Sequence, residues 1–113
     1  MKTKREVEAV VTEYASRVKA LLGDKLEAVI LYGSFARGDY EDGSDVDVMV
    51  LVNVPQDQQK EHWDIIADIA FELGWEHNLL ISPILQSVEI FERYKDASGF
   101  FKNVLSEGVR ISA

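Results

Sequence analysis

Apolar residues recur at three- and four-residue steps over residues 4 to 22, where Val7, Val11, Tyr14, Val18 and Leu21 share one side of a helix. Gly23 follows where helices commonly stop. The pattern then changes period. Ala28-Val29-Ile30-Leu31-Tyr32 is a continuous apolar run and reads as a buried strand from about Leu26 to Tyr32. Gly33 permits a tight turn, and Ser34 is placed to cap a short helix through Arg37. Asp39 to Ser44 is a polar loop. A second strand runs from about Asp45 to Val52, with Val46, Val48, Val50 and Val52 alternating onto one face.

Pro55 opens a long helix that the pattern ends near Leu73-Gly74. Its apolar face carries Trp63, Ile66, Ile69, Ala70 and Leu73, and Asp57, Glu61, Asp64, Asp68 and Glu72 form an acidic stripe opposite. A third strand is expected from Trp75 to Gln86, with Pro83 marking an edge position or a bulge. Ser87 caps a helix to about Lys95, Asp96 to Gly99 is a break, and a last helix from about Gly99 to Glu107 is closed by Gly108. Alternating helices and strands predict an α/β (α+β) layer fold, a small mixed sheet flanked by helices. The chain shows no repeat, low-complexity tract or linker that would divide it. At 113 residues, the expectation is one domain over 1–113 with one core.

Composition narrows the function classes. An apolar content of 47% and an aromatic content of 10% suit a globular chain. No apolar run approaches the ~20 residues that span a bilayer. The start, Met1-Lys2-Thr3-Lys4-Arg5-Glu6, lacks the apolar segment of a secretory signal, so the expected location is cytoplasmic, with no membrane partner. With no cysteine there are no disulfides or thiolate metal sites. The net charge of −8 disfavours nucleic acid. It favours basic partners, or a small substrate whose charge is carried by a cation.

The candidate chemistry lies between the first two strands. Gly33-Ser34-Phe35-Ala36-Arg37-Gly38-Asp39 is a small-residue turn able to hold phosphates, and Ser44-Asp45-Val46-Asp47-Val48 brings two carboxylates. On a strand, residues two apart point the same way, with Cα atoms roughly 6.5–7 Å apart, so Asp45 and Asp47 project from one face. Two such acids repel unless a positive charge sits between them, and an all-oxygen site suits Mg²⁺. Arg37, a turn after Ser34, can reach a phosphate or a neighbouring carboxylate in forked geometry. Asp39 reads as a loop-shaping residue, and Asp39, Glu41 and Asp42 together as a solvated acidic loop. His62 and His77 read as packed residues without metal-ligand spacing, and Trp63, Phe91, Phe100 and Phe101 as core.

Gly33-Ser34, ten intervening residues and Asp45-Val46-Asp47, with the Ala36-Arg37-Gly38-Asp39 extension, resemble the signature of the minimal nucleotidyltransferases, small members of the DNA polymerase β-like superfamily. The ending Phe100-Phe101-Lys102-Asn103-Val104-Leu105-Ser106-Glu107-Gly108-Val109 fits the family more loosely. The resemblance implies the nucleotidyltransferase fold, with the active site at the edge between the first two strands. It implies Asp45 and Asp47 as catalytic metal ligands, Gly33, Ser34 and Arg37 as nucleotide-binding residues, and Mg²⁺ with ATP or another nucleoside triphosphate. In two-metal catalysis, ions about 3.5–4 Å apart stabilise both ends of an in-line displacement. The implied partner is a HEPN-domain protein, paired with the chain as toxin and antitoxin and adenylylated on a tyrosine.

Active relatives place a third acid on the third strand. Here Trp75-Glu76-His77-Asn78-Leu79-Leu80-Ile81-Ser82 offers only Glu76. Two functions therefore stand side by side. One is an enzyme that moves a nucleoside monophosphate, AMP from ATP, onto a hydroxyl of a partner protein. The other is an antitoxin-like binding module that neutralises the same partner by occlusion and keeps a weak or inactive nucleotide site. A scaffold without a ligand leaves the pairing of Gly-Ser with Asp-x-Asp unexplained.

Overall fold

The computed structural model describes residues 2–111. Helix α1, Lys4–Leu22, begins with a capping box: the Glu6 N–H donates to Thr3 Oγ1 at 3.2 Å, and the Thr3 N–H donates to Glu6 Oε1 at 3.4 Å. Strand β1, Leu26–Tyr32, leads through Gly33 into the single-turn helix α2, Ser34–Arg37. Strand β2 is Val46–Val52. A 3₁₀ turn at Gln56–Gln58 precedes helix α3, Lys60–His77. Strand β3, Ile81–Ser87, runs directly into helix α4, Val88–Tyr94, and helix α5, Gly99–Glu107, precedes the short strand β4, Val109–Ile111.

The sheet order is β3-β2-β1-β4. β1 pairs antiparallel with both β2 and β4, while β2 and β3 are parallel, so the sheet is mixed. The parallel pair requires a crossover, which α3 supplies. On one sheet face Val29, Leu31, Val46, Val48, Val50 and Val52 meet α1 and α3 through Val7, Val11, Val18, Ile66 and Leu73. On the other, Ala28, Ile30, Met49 and Leu51 meet Phe91 of α4 and Val104 of α5. Tyr14 ties α1 to α3: its buried hydroxyl donates to the Ile66 carbonyl at 3.0 Å, and burial pushes its pKa above the usual phenol value. No helix among the described residues is long and apolar enough to cross a membrane.

Several expectations need correcting. The long helix does not begin at Pro55 or end at Leu73-Gly74. It starts at Lys60, which leaves Asp57 on the 3₁₀ turn, and continues through Trp75, Glu76 and His77. Asn78 stops it in the left-handed conformation at φ 54°, and the Leu79 N–H returns to the Gly74 carbonyl at 2.8 Å. Gly74 is small for a different reason: a Cβ there would overlap the Leu79 carbonyl oxygen as the chain doubles back. Strand three is accordingly six residues shorter at its start, 81 rather than 75. It is an edge strand, as Pro83 indicated. Leu21 is exposed and Leu22 fills the core in its place. Trp63 and Phe100 are also partly exposed rather than core, whereas Phe91 is buried. The N-cap of α2 is Gly33, not Ser34. β4, with only Val109, Arg110 and Ile111, was too short to show a period.

Candidate active site

β1 and β2 are antiparallel and joined by the α2 turn, so the end of β1 meets the start of β2. Tyr32 pairs with Asp47 across the two strands. Val46 and Val48 are fully buried against α1 and α3, which turns Asp47, and Asp45 beside the strand start, to the opposite face. There a hollow of about 500 Å³ is lined by Tyr32, Gly33, Ser34, Arg37, Ser44, Asp45, Asp47, Phe100, Asn103, Val104 and Glu107. The turn residues Gly33, Ser34 and Arg37 and the acids Asp45 and Asp47 therefore meet in one place.

Gly33 holds the arrangement closed. Its backbone sits at φ 78°, ψ −156°, a conformation open to glycine alone. A Cβ on it would run into Asp47 Oδ2 and lie 3.2 Å from Asp47 Cγ. The Asp47 carboxylate thus packs directly on the turn. Burial pushes the Asp47 carboxyl above the usual carboxylate value, the charge of Asp45 adds to the rise, and Arg37 opposes it. Burial, and secondarily Asp47, push the Tyr32 hydroxyl up to about 12. The edge of Tyr32 packs against Phe100 with ring centroids 5.5 Å apart, which fixes one wall of the hollow.

Arg37 is exposed, with Nε 3.1 Å from Asp39 Oδ2 and Nη1 3.4 Å from Glu107 Oε2. Asp39 is thus a partner of Arg37 and is not among the residues lining the hollow. The Glu41 N–H donates to Ser44 Oγ at 2.8 Å, closing the loop that delivers Asp45.

Glu76 lies elsewhere. It sits on α3, exposed, 3.8 Å from Arg17 Nη2, and is not among the lining residues of the hollow. On β3 the residue in register with Asp47 is Ser82, not an acid. His77 is half-buried near Glu13 and Glu76, and His62 is half-buried with Nδ1 unpaired. Tyr32, Ser44, Phe100, Asn103, Val104 and Glu107 are the lining residues that sequence reasoning missed as site residues. Asn103 and Glu107 arrive only when α5 folds back over the sheet, and local pattern carries no sign of that.

The fit to a divalent cation rests on the carboxylates. Asp45 and Asp47 offer only oxygen donors on one face, and the Asp47 carboxyl, raised chiefly by burial and then by the charge of Asp45, is a group whose ionised form a cation would favour.

A small-residue turn and a carboxylate pair, brought together at one end of a mixed α/β sheet, have the layout of a nucleotidyltransferase domain. Residues 11–109 match the nucleotidyltransferase domain family, and the chain belongs to that family. It is 38% identical over 92 residues to a protein of Methanocaldococcus jannaschii named as a candidate protein adenylyltransferase, MJ0141, covering 80% of this chain and 90% of the relative. A second candidate protein adenylyltransferase of that organism, MJ0604, is 31% identical over 101 residues, covering 89% and 93%. A solved structure of a candidate nucleotidyltransferase from Sulfolobus solfataricus superposes with a TM-score of 0.62 at 21% identity, covering 97% of this chain and 86% of that one. An MNT antitoxin solved in complex with the tri-AMPylated HEPN toxin of Shewanella oneidensis superposes with a TM-score of 0.52 at 16% identity, covering 94% and 72%. At these identities the two structures establish the fold.

Proposed function

We propose that the chain transfers AMP from ATP to a hydroxyl of a partner protein, with Mg²⁺ as cofactor and a HEPN-domain protein as partner. The observation that carries the proposal is the packing of Asp47 on Gly33, with Asp45 beside it, in a hollow that also holds Ser34 and Arg37. The naming of MJ0141 and MJ0604 as candidate protein adenylyltransferases supports AMP as the group transferred. The toxin complex of the Shewanella neighbour supports the class of partner.

In this reading Gly33 lets the backbone approach the triphosphate, the Ser34 hydroxyl donates to it, and Arg37 adds a positive charge at the rim. Asp45 and Asp47 would hold Mg²⁺, which when bound would offset the negative charge that builds on the oxygens of the displacement. The acceptor hydroxyl oxygen attacks the α-phosphorus as its proton passes to solvent, and pyrophosphate leaves with the electrons of the broken P–O bond. Tyr32, protonated throughout the physiological range, and Phe100 form the wall against which the nucleotide rests.

One observation favours a second reading, a binding module with a silent nucleotide site. Glu76 pairs with Arg17 on the far helix, and Ser82 stands opposite Asp47 where a third strand acid would sit. The transfer reading, unlike the binding-module one, requires a working nucleotide pocket, which calorimetry tests. Wild-type protein binds Mg²⁺–ATP, and Asp45→Asn/Asp47→Asn loses the metal-dependent part while remaining folded. Equal Mg²⁺–ATP binding by the two proteins contradicts the assignment.

A further inference from the structure

Three large aromatic side chains stand exposed on α3: Trp63 is 43%, Phe71 74% and Trp75 81% exposed. With Ala67 they fall at four-residue steps and form one stripe along the helix. A groove of about 550 Å³ separates this stripe from Leu80, Ile81 and Pro83 at the start of β3. Asp64 and Asp68 follow the stripe one residue on, exposed along its outer border and outside the lining of the groove, while Glu72, the next in that row, lies 3.9 Å from Arg17 of α1. Aromatic residues gathered in this way mark a surface built for contact, unlike single exposed apolar residues.

We propose that this groove docks a basic amphipathic helix of the protein that carries the acceptor hydroxyl. The acceptor role rests on the nucleotidyl-transfer reading; the docking does not. Charge selects the occupant. An apolar stripe bordered by acids is complemented by a helix with apolar residues in one row and Lys or Arg in the next. A second copy of this chain would bring its own acidic row and a further net charge of −8, and is disfavoured.

Strand addition is disfavoured too. The Val46 N–H donates to the Leu80 carbonyl at 2.8 Å, so by alternation Ser82 and Ile84 also face β2, and Pro83 presents its missing donor to the open edge. The groove therefore offers side chains rather than backbone. It is also continuous with the candidate active site. Asn78, Leu79 and Leu80 line both the groove and a second hollow that extends to Glu41–Ser44, and Ser44 lines the candidate site next to Asp45. A partner seated on α3 is carried round the end of the sheet to the carboxylates.

Both tryptophans of the chain line the groove, so their emission reads its occupancy. The probe is a helical peptide with leucines in one row and lysines in the next, and the control carries glutamate in place of each lysine. Tryptophan emission shifts to shorter wavelength with the lysine peptide and not with the control. Phe71→Ser, which leaves both reporters in place, weakens the affinity at least about tenfold. Asp64→Lys/Asp68→Lys weakens it at low salt, and that difference fades as salt rises.

Equal responses to the two peptides, or unchanged affinity in Phe71→Ser, overturn the proposal. So does a concentration-dependent dimer in sedimentation that Phe71→Ser abolishes, which assigns the groove to a second copy. Mg²⁺–ATP calorimetry keeps the two readings apart. Lost peptide binding with intact nucleotide binding rejects the docking alone. Peptide binding without nucleotide binding by the wild type rejects the transfer reading and supports the docking.

Discussion

At the scale of single residues, the site depends on Gly33 having no side chain. Its φ of 78° and ψ of −156° are open to glycine alone, and the space a Cβ needs is filled by the Asp47 carboxylate. Gly33→Ala therefore costs about 1–3 kcal/mol of stability and displaces Asp47. Urea unfolding measures the first effect, and loss of Mg²⁺–ATP binding the second. Asp47 itself makes a pH prediction. Its folded pKa lies above the ordinary 3.8, chiefly through burial and then through Asp45. The unfolded state therefore holds its proton less tightly than the folded state. The ionised carboxylate costs stability once the pH exceeds the folded value, and the cost disappears below the unfolded one. In metal-free buffer Asp47→Asn melts above wild type at neutral pH, and the gap closes as pH falls below 3.8. A gap independent of pH would remove this electrostatic account.

At the scale of elements, strong periods were legible and stops were not. α1, β1 and the buried face of β2 were plain because Val7, Val11, Val18 and the 46–52 alternation repeat over several turns or residues. The end of α3 was misread because Gly74 looks like a helix stop. It is small to admit the Leu79 carbonyl, and Asn78 performs the stop. That single misreading moved Glu76 from helix to strand and raised it as a third acid. Asn78→Ala tests the corrected boundary: an alanine held at φ 54° costs roughly 1–2 kcal/mol, read by thermal unfolding. No change would mean that the helix ends otherwise. At the site, Gly33, Ser34, Arg37, Asp45 and Asp47 were legible because they are close in sequence. Phe100, Asn103 and Glu107 were not, because α5 reaches the hollow only through tertiary packing.

At the scale of the whole molecule, charge and shape divide the surface. One sheet face carries the candidate active-site hollow between α2 and α5, and α3 carries an aromatic stripe beside an acidic row. A net charge of −8 repels nucleic acid and draws in a basic protein chiefly by speeding its encounter. We propose that this chain moves the AMP group of ATP onto that protein. The direct measurement incubates the chain with Mg²⁺, a HEPN-domain partner and ATP labelled at either the α- or the γ-phosphate. Transfer predicts that the partner gains the α-label and not the γ-label, and that Asp45→Asn/Asp47→Asn abolishes the gain. Partner neutralisation without label would leave only the binding-module reading, and γ-label on the partner, or α-label undiminished in the double variant, would contradict the claim.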